Sequence, residues 1–269
     1  MKYLKFIISK IKRYGLLGIW GYTFTKYWAA FLYTTSLGRY YVINNRGIKY
    51  RYYHTSVSKL MMILPTIHDG DVDELKSLSK QGSIIIDVGA NIGTTSIPLS
   101  KYVGVHGKII AIEANPKIAN CLRENIKLNG VKNIEVLQIA VGESSKLVRF
   151  SDIDIDDINK VEGGNIKNAN SANVLVPMMR LDDMLKDFEK IDVIKIDVEG
   201  YEKFVLAGAT ETLKKTKAVY MEYYEPNTLE FGYKREELKN TLEQAGFVCT
   251  LSDLSKHVID VDNLIAVRR

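Results

Sequence analysis

Four apolar runs in this 269-residue chain end in a carboxylate: SIIID at Asp87, KIIAIE at Glu113, IDVIKID at Asp197 and AVYME at Glu222. A carboxylate accepts hydrogen bonds from hydroxyls, exchanges protons near neutrality when buried, and ligates hard cations. The first run continues into Asp87-Val88-Gly89-Ala90-Asn91-Ile92-Gly93. Glycine there lets the backbone turn sharply and approach a ligand closely. The turn is not G-x-G-x-x-G, and the chain has no Gly-x-x-x-x-Gly-Lys-Ser/Thr of a P-loop. Glu113 follows the turn by ~20 residues, a spacing that suits the two hydroxyls of a ribose. A turn and an acid with few glycines fit a cofactor that has a ribose and no pyrophosphate, such as S-adenosylmethionine.

These carboxylates need elements that place them together. From residue 69 the pattern alternates regularly. VDELKSLSKQG, TSIPLSKYV, KIANCLRENIKLNG, YEKFVLAGATETLKK and KREELKNTLEQAG read as helices between strands SIIIDVG, KIIAIEAN, IEVLQIAVG, IDVIKIDVEG and AVYMEYYEP. FVCTLSD and HVIDVDNLIAVRR close the chain with no helix between them, so one edge is expected to be antiparallel. This predicts an α/β fold: a Rossmann-like, doubly wound, mostly parallel sheet with helices on both faces. Central parallel strands are buried on both faces, so charges belong at their carboxyl ends, where open α/β sheets bind ligands.

The composition is 46% hydrophobic and 26% charged with 5 Pro, which excludes collagenous, low-complexity and wholly disordered classes. Cys121 and Cys249 lie far apart, excluding a disulfide scaffold and a four-cysteine zinc site and fitting a reducing, cytoplasmic compartment. Charge is uneven: residues 1–60 hold 11 Lys/Arg and no acid, and the remainder holds 26 bases against 32 acids. Residues 1–68 therefore read as a basic, aromatic N-terminal appendage (helical stretches and a β-hairpin) on a mildly acidic domain, 69–269. Residues 1–14 have the apolar spacing of a basic amphipathic helix. Lys10, Lys12 and Arg13 interrupt the apolar run a signal peptide needs, and Lys26 sits mid-way in the apolar stretch 15–38. Two readings stay open for residues 1–38: contact with an anionic membrane surface at its inner face, or a helical subdomain docked on the core or on a second copy. RYYVINNRGIKYRYY (39–53) predicts two strands about a turn at 44–47, with Asn and Gly supplying the left-handed conformation. Its basic Tyr-rich face has either a structural role or one in nucleic-acid contact.

DVGANIG (87–93), AIEANP (111–116), ENIKLNG (124–130), AVGE (140–143), RLDDML (180–185) and IKIDVEGYE (194–202) together resemble the FkbM family of class I S-adenosylmethionine-dependent methyltransferases. The resemblance covers roughly 69–269. It departs at Ala114, where the family more often has Pro, and at 216–218, where a Pro is usual. It implies O-methylation of a hydroxyl, often on a sugar or glycosylated natural product. Carried onto this chain, it places Asp87, Gly89, Asn91 and Gly93 around the methionine end of the cofactor. Glu113 would hold the ribose hydroxyls, with Asn115, Ala140 and Val141 by the adenine.

Strand alternation puts Lys195, Asp197 and Glu199 on one face of an otherwise apolar strand, which is costly unless they are paired or used. Lys195 would neutralise a carboxylate. Asp197 or Glu199 would orient or deprotonate the acceptor hydroxyl, or else hold the cofactor or cap the helix from Tyr201. Glu222 would complete the cluster, and three such acids could also take magnesium, although no motif fixes one. His68, before the acidic turn DGDVDE, and His106, in the Gly-flanked turn GVHGK, are alternative bases, with a lone surface histidine the favoured reading of His106; Asp182 and Asp183 are expected to start the helix LDDMLKDF. The stretch 143–180 interrupts the rhythm and reads as a lid-like insert over the acceptor or a disordered one. Two rival functions remain: an RNA methyltransferase using the basic segment, against which no Asn-Pro-Pro-aromatic motif is found, and an inactive cofactor-binding partner subunit.

Overall fold

A computed structural model describes residues 27–28, 31–32, 34–35, 41–53, 55–64, 66–151, 173–252 and 262–268. The chain divides into two compact units, Met1–Thr66 and Ile67–Arg269.

In the first unit, β1 (Val42–Asn45) and β2 (Ile48–Arg51) pair antiparallel, with Asn45 opposite Ile48. That register leaves a two-residue turn, which needs positive φ at both positions. Arg46 (φ 47°) and Gly47 (φ 81°) occupy them. The turn stands where the sequence predicts it, but no Asn takes the left-handed place. Asn44 contributes its side chain instead, with Oδ1 accepting from Gly47 N at 3.0 Å. Ile43, Ile48, Tyr50 and Tyr52 are buried. The helix Ser56–Ile63 is capped by the Thr55 hydroxyl, which accepts from Ser58 N. Tyr27, Trp28, Phe31 and Tyr41 are exposed, with Trp28 stacked on Phe31 at 5.3 Å. The amphipathic pattern of 1–14 and most of 15–38 lie outside the described residues. Among the described residues no helix is long and apolar enough to cross a membrane.

The second unit is built on β3 (Ile84–Val88), β4 (Lys108–Ile112), β5 (Ile134–Leu137), β6 (Ala140–Val141), β7 (Lys146–Ser151), β8 (Asn173–Met179), β9 (Ile191–Ile196), β10 (Thr216–Glu222), β11 (Phe247–Leu251) and β12 (Asn263–Arg268). Seven of these form one sheet in the order β11-β12-β10-β9-β3-β4-β5. Neighbours from β10 to β5 are parallel, and β12 runs antiparallel between β10 and β11, which is the expected antiparallel edge. Ile86, Ile110, Ile194 and Val219 face a cluster with Leu181, Val205, Leu206, Leu238 and Leu242. Ile85, Ile109, Val193 and Ala218 face Leu75, Leu99 and Val103. Helices thus cover both faces, each large side chain contributing about 1.5–3 kcal/mol of burial. The fold is the doubly wound α/β class, and all four acids stand at or next to the carboxyl ends of their strands.

Three expectations change. The run IEVLQIAVG is two strands, because β6 leaves the main sheet to pair with β8. Residues 143–180 are not one irregular insert: β7 and β8 pair antiparallel over six positions, and 152–172 lie outside the described residues. YEKFVLAGATETLKK is two helices, Glu202–Ala207 and Thr210–Lys214, broken at Gly208. A Cβ on Gly208 would lie 2.0 Å from the Gly142 carbonyl oxygen. Asp182 and Asp183 do sit in the first turn of the helix Leu181–Met184. Asp182 also caps the helix Thr210–Lys214, accepting from Glu211 N (2.9 Å) and Thr212 N (2.7 Å).

Candidate active site

The turn after β3 holds three left-handed residues: Gly89 (φ 81°), Asn91 (φ 49°) and Gly93 (φ 94°). Asn91 tolerates this because its own Oδ1 accepts from Ile92 N at 2.7 Å. A Cβ on Gly89 would stand 1.8 Å from the Asp197 carbonyl oxygen, so the glycine turn interlocks with the end of β9. A Cβ on Gly93 would strike Leu122 and Ile97, so Gly93 lets two helices close on the turn. Asp87 was expected beside the cofactor, but it is 0% exposed. Its Oδ2 accepts from Thr95 Oγ1 (2.7 Å) and Ser96 Oγ (2.5 Å), and its Oδ1 lies 3.3 Å from Lys195 Nζ. Asp87 therefore acts from behind the turn, tying it to the next helix and to β9.

Glu113 follows β4 and is nearly buried. Its Oε2 accepts from Asn91 N at 3.0 Å and its Oε1 from Asn115 N at 2.9 Å. Burial pushes its pKa up to about 7, against the two N–H groups that favour the charged form. Asn115 caps the helix Pro116–Asn129, accepting from Lys117 N (2.8 Å) and Ile118 N (3.3 Å). Its Nδ2 is buried with no hydrogen-bond partner among the described residues. Ala140 and Val141, buried in β6, belong to the small sheet. A two-oxygen acceptor, an orphaned amide donor and an apolar strand fit a ribose diol joined to a purine.

At the rim of β9 and β10 lie the other acids. Burial works against the Lys195 ammonium, and the Asp87 and Asp197 carboxylates outweigh it, holding its pKa above the usual lysine value. Lys195 Nζ is 3.2 Å from Asp197 Oδ2, so Lys195 does neutralise carboxylates. The Asp197 side chain is 44% exposed and faces the rim. Glu199 takes a left-handed conformation (φ 55°). Asn227 Nδ2 donates to Glu199 Oε2 (2.9 Å) and Glu222 Oε2 (3.0 Å), drawing the two acids together. Burial, then the charges of Asp197, Glu199 and Glu202, raise the Glu222 pKa to about 9. Among the described residues no group of three or more His, Cys, Asp and Glu stands at metal-holding spacing, so magnesium finds no support. His106 is exposed two residues before β4, at the sheet's amino end, away from this rim. His68 precedes the helix Asp69–Ser77, with Nδ1 3.6 Å from Asp71, whose Oδ1 accepts from Tyr220 Oη at 2.6 Å.

Sequence reasoning missed Asn227, Glu202 and Tyr233. Only Glu202 left a signal, as an acid four residues after Val198 and two after a glycine.

The Methyltransferase FkbM domain matches residues 87–249, from the end of β3 into β11. The chain belongs to this family. It is an S-adenosylmethionine-dependent methyltransferase. Methyltransferase sdnD of Sordaria araneosa is 27% identical over 235 residues, 76% of this chain and 86% of that one. The 2-O-methyltransferase NoeI of Sinorhizobium fredii is 28% identical over 163 residues, 54% of this chain and 65% of NoeI. The hexuronic acid methyltransferase AglP of Haloferax volcanii is 28% identical over 161 residues, 58% and 63% of the two chains. A solved S-adenosylmethionine-dependent methyltransferase from Aquifex aeolicus superposes with a TM-score of 0.47 at 21% identity, over 76% of this chain and 94% of that one.

Proposed function

We propose that this FkbM-family protein methylates a hydroxyl oxygen of a sugar or glycoconjugate. The observation that carries the reading is the acid set at the rim of β9 and β10, interlocked with the glycine turn. When bound, the cofactor supplies an electrophilic sulfonium methyl. Glu113 would hold its ribose hydroxyls, Asn115 Nδ2 would meet its purine, and Gly89 and Asn91 would line its methionine end. Asp197, exposed and next to Gly89, would accept the acceptor's proton or hold its hydroxyl in line. Glu199 and Glu222, joined through Asn227, would receive neighbouring hydroxyls. A polyol offers several hydroxyl donors to such acceptors. The names of NoeI and AglP, an O-methyltransferase and a hexuronic acid methyltransferase, support oxygen as the target and a sugar as the carrier.

The test is transfer of labelled methyl into a host extract separated into glycan/lipid, RNA and small-molecule fractions. Label is expected in a glycosidase-sensitive, RNase-resistant fraction. Label removed by RNase overturns the substrate class, and no label in any fraction favours a non-catalytic partner subunit.

The basic N-terminal unit is read as a contact for an anionic membrane. Tyr27, Trp28, Phe31 and Tyr41 are exposed there, and residues 1–60 hold only positive charges. Full-length protein is expected to co-sediment with vesicles rich in anionic lipid at low salt and to be released as salt rises. Equal sedimentation with neutral vesicles, or none, removes this reading.

A further inference from the structure

The turn at 197–200 carries Asp197 and Glu199, and Glu199 stands in a conformation that side chains rarely adopt. Glu199 has φ 55° and Gly200 has φ 100°. Such strain persists only where the surroundings over-determine it. Two side chains outside the turn do so. Glu202 is buried, and its Oε1 accepts from Val198 N (3.2 Å) and Gly200 N (3.1 Å). Tyr233, also buried, lies 31 residues further on, in the connection between the helices Glu225–Glu230 and Glu236–Gln244. Its hydroxyl is 2.8 Å from Gly200 O and 3.2 Å from Glu202 Oε2. Lys203 N donates to the same hydroxyl at 3.4 Å. Both inward N–H groups and the last carbonyl of the turn are thus held by one carboxyl and one phenol.

The turn is also wedged from its other side. A Cβ on Gly200 would lie 2.5 Å from the Asn227 carbonyl oxygen, so the turn rests directly on the segment whose Asn227 amide binds Glu199 and Glu222. Asp197 N is bonded to Val88 O at 3.0 Å, so the start of the turn is held by β3 independently of Glu202.

We propose that Glu202 and Tyr233 are positioning residues that hold this turn in its strained form and so present Asp197 and Glu199 to the acceptor. Neither side chain needs to touch cofactor or acceptor to act. The proposal rests on the acceptor role given above to Asp197 and Glu199.

The test uses the full-length chain with Glu202→Ala, Glu202→Gln and Tyr233→Phe, assayed on whichever fraction the wild type labels. Loss of the clamp displaces the acids by a fraction of an ångström to about 1 Å, which costs on the order of 100-fold in rate. Glu202→Ala is therefore expected to lower kcat about 100-fold, and Tyr233→Phe, which removes the hydroxyl shared by Gly200 O, Glu202 Oε2 and Lys203 N but leaves the Glu202 bonds to the turn, about 10-fold. Glu202→Gln keeps an oxygen for both N–H groups and is expected to recover most of the loss. S-adenosylmethionine Kd is expected to stay within about 3-fold, because the glycine turn and Glu113 are untouched.

Amide exchange supplies a readout that needs no acceptor. In Glu202→Ala the Val198 and Gly200 amides should lose protection while Asp197 N keeps it. Unchanged kcat, unchanged exchange, or parallel loss of kcat and cofactor affinity overturns the proposal. Should Glu202→Ala fail to fold, Tyr233→Phe decides alone. A wild type that labels only RNA would defeat the sugar reading and leave this exchange result standing.

Discussion

Replacing Glu113 with Gln is expected to weaken S-adenosylmethionine binding by about 100-fold or more. Hydrogen bonds to a charged group are each worth roughly 1.5–3 kcal/mol, and a ribose diol would make two. The same carboxylate also accepts Asn91 N and Asn115 N, so it ties together the two turns between which the nucleoside would lie. Glutamine leaves one of those N–H groups facing an NH₂. The wild type has a pH signature that the variant lacks. Burial raises the Glu113 pKa to about 7 in the unliganded protein. Hydroxyls donated by a ribose favour the ionised form, so binding should be flat above about pH 7 and weaken toward tenfold per pH unit below it. Folding stability runs the other way. With a folded pKa above the usual carboxylate value, this group's contribution is full below about pH 4.5 and lost as pH rises through 7. Calorimetric titration with S-adenosylmethionine between about pH 5.5 and 8.5 checks the binding profile, and denaturant unfolding from about pH 4.5 to 8.5 checks the stability profile. A Kd for Glu113→Gln within about threefold of wild type, with the wild-type profile flat, would remove Glu113 from the cofactor site.

The sheet was legible because its strands are nearly pure apolar runs. Ile84-Ile85-Ile86-Asp87 reads as a strand buried on both faces with a charge near its end, and the sequence shows no helix pattern between FVCTLSD and HVIDVDNLIAVRR, which announced the antiparallel edge. Sequence could not show what each charge meets. Asp87 and Glu113 look alike on paper, each an acid that follows an isoleucine run. In the fold Asp87 lies wholly inside, against Lys195, Thr95 and Ser96, and Glu113 reaches the rim. That difference is set by a strand 108 positions further along. The break at Gly208 is similar, since its cause is the Gly142 carbonyl oxygen. Local propensity reads the segment as one helix, and a non-local contact divides it. Asn227 escaped notice for the same reason. Its amide matters only because Gly200 lets the turn at 197–200 come down beside it.

Asp197→Asn is expected to lower kcat by about 10²–10⁴-fold, the range of a positioned proton acceptor, while leaving cofactor Kd within about threefold. The substitution is nearly isosteric. Its amide oxygen can still face Lys195 Nζ, which keeps Asp87 as a second partner at 3.3 Å, so no buried charge is stranded. The pH profile then separates the two acids able to serve as base. Glu222, raised to about 9 by burial and by Asp197, Glu199 and Glu202, holds its proton at neutral pH. If Asp197 takes the acceptor's proton, kcat should be level across neutrality and change only as Glu222 ionises near pH 9. If Glu222 takes it, kcat should climb about tenfold per pH unit up to that point. The variant adds a sign. Removing the Asp197 charge withdraws one cause of the Glu222 shift, so any alkaline limb should move to lower pH in Asp197→Asn and vanish in Glu222→Gln. Turnover of Asp197→Asn at the wild-type rate, with an unmoved alkaline limb, would exclude Asp197 as base or orienter. It would leave the rim acids to bind hydroxyls without moving protons.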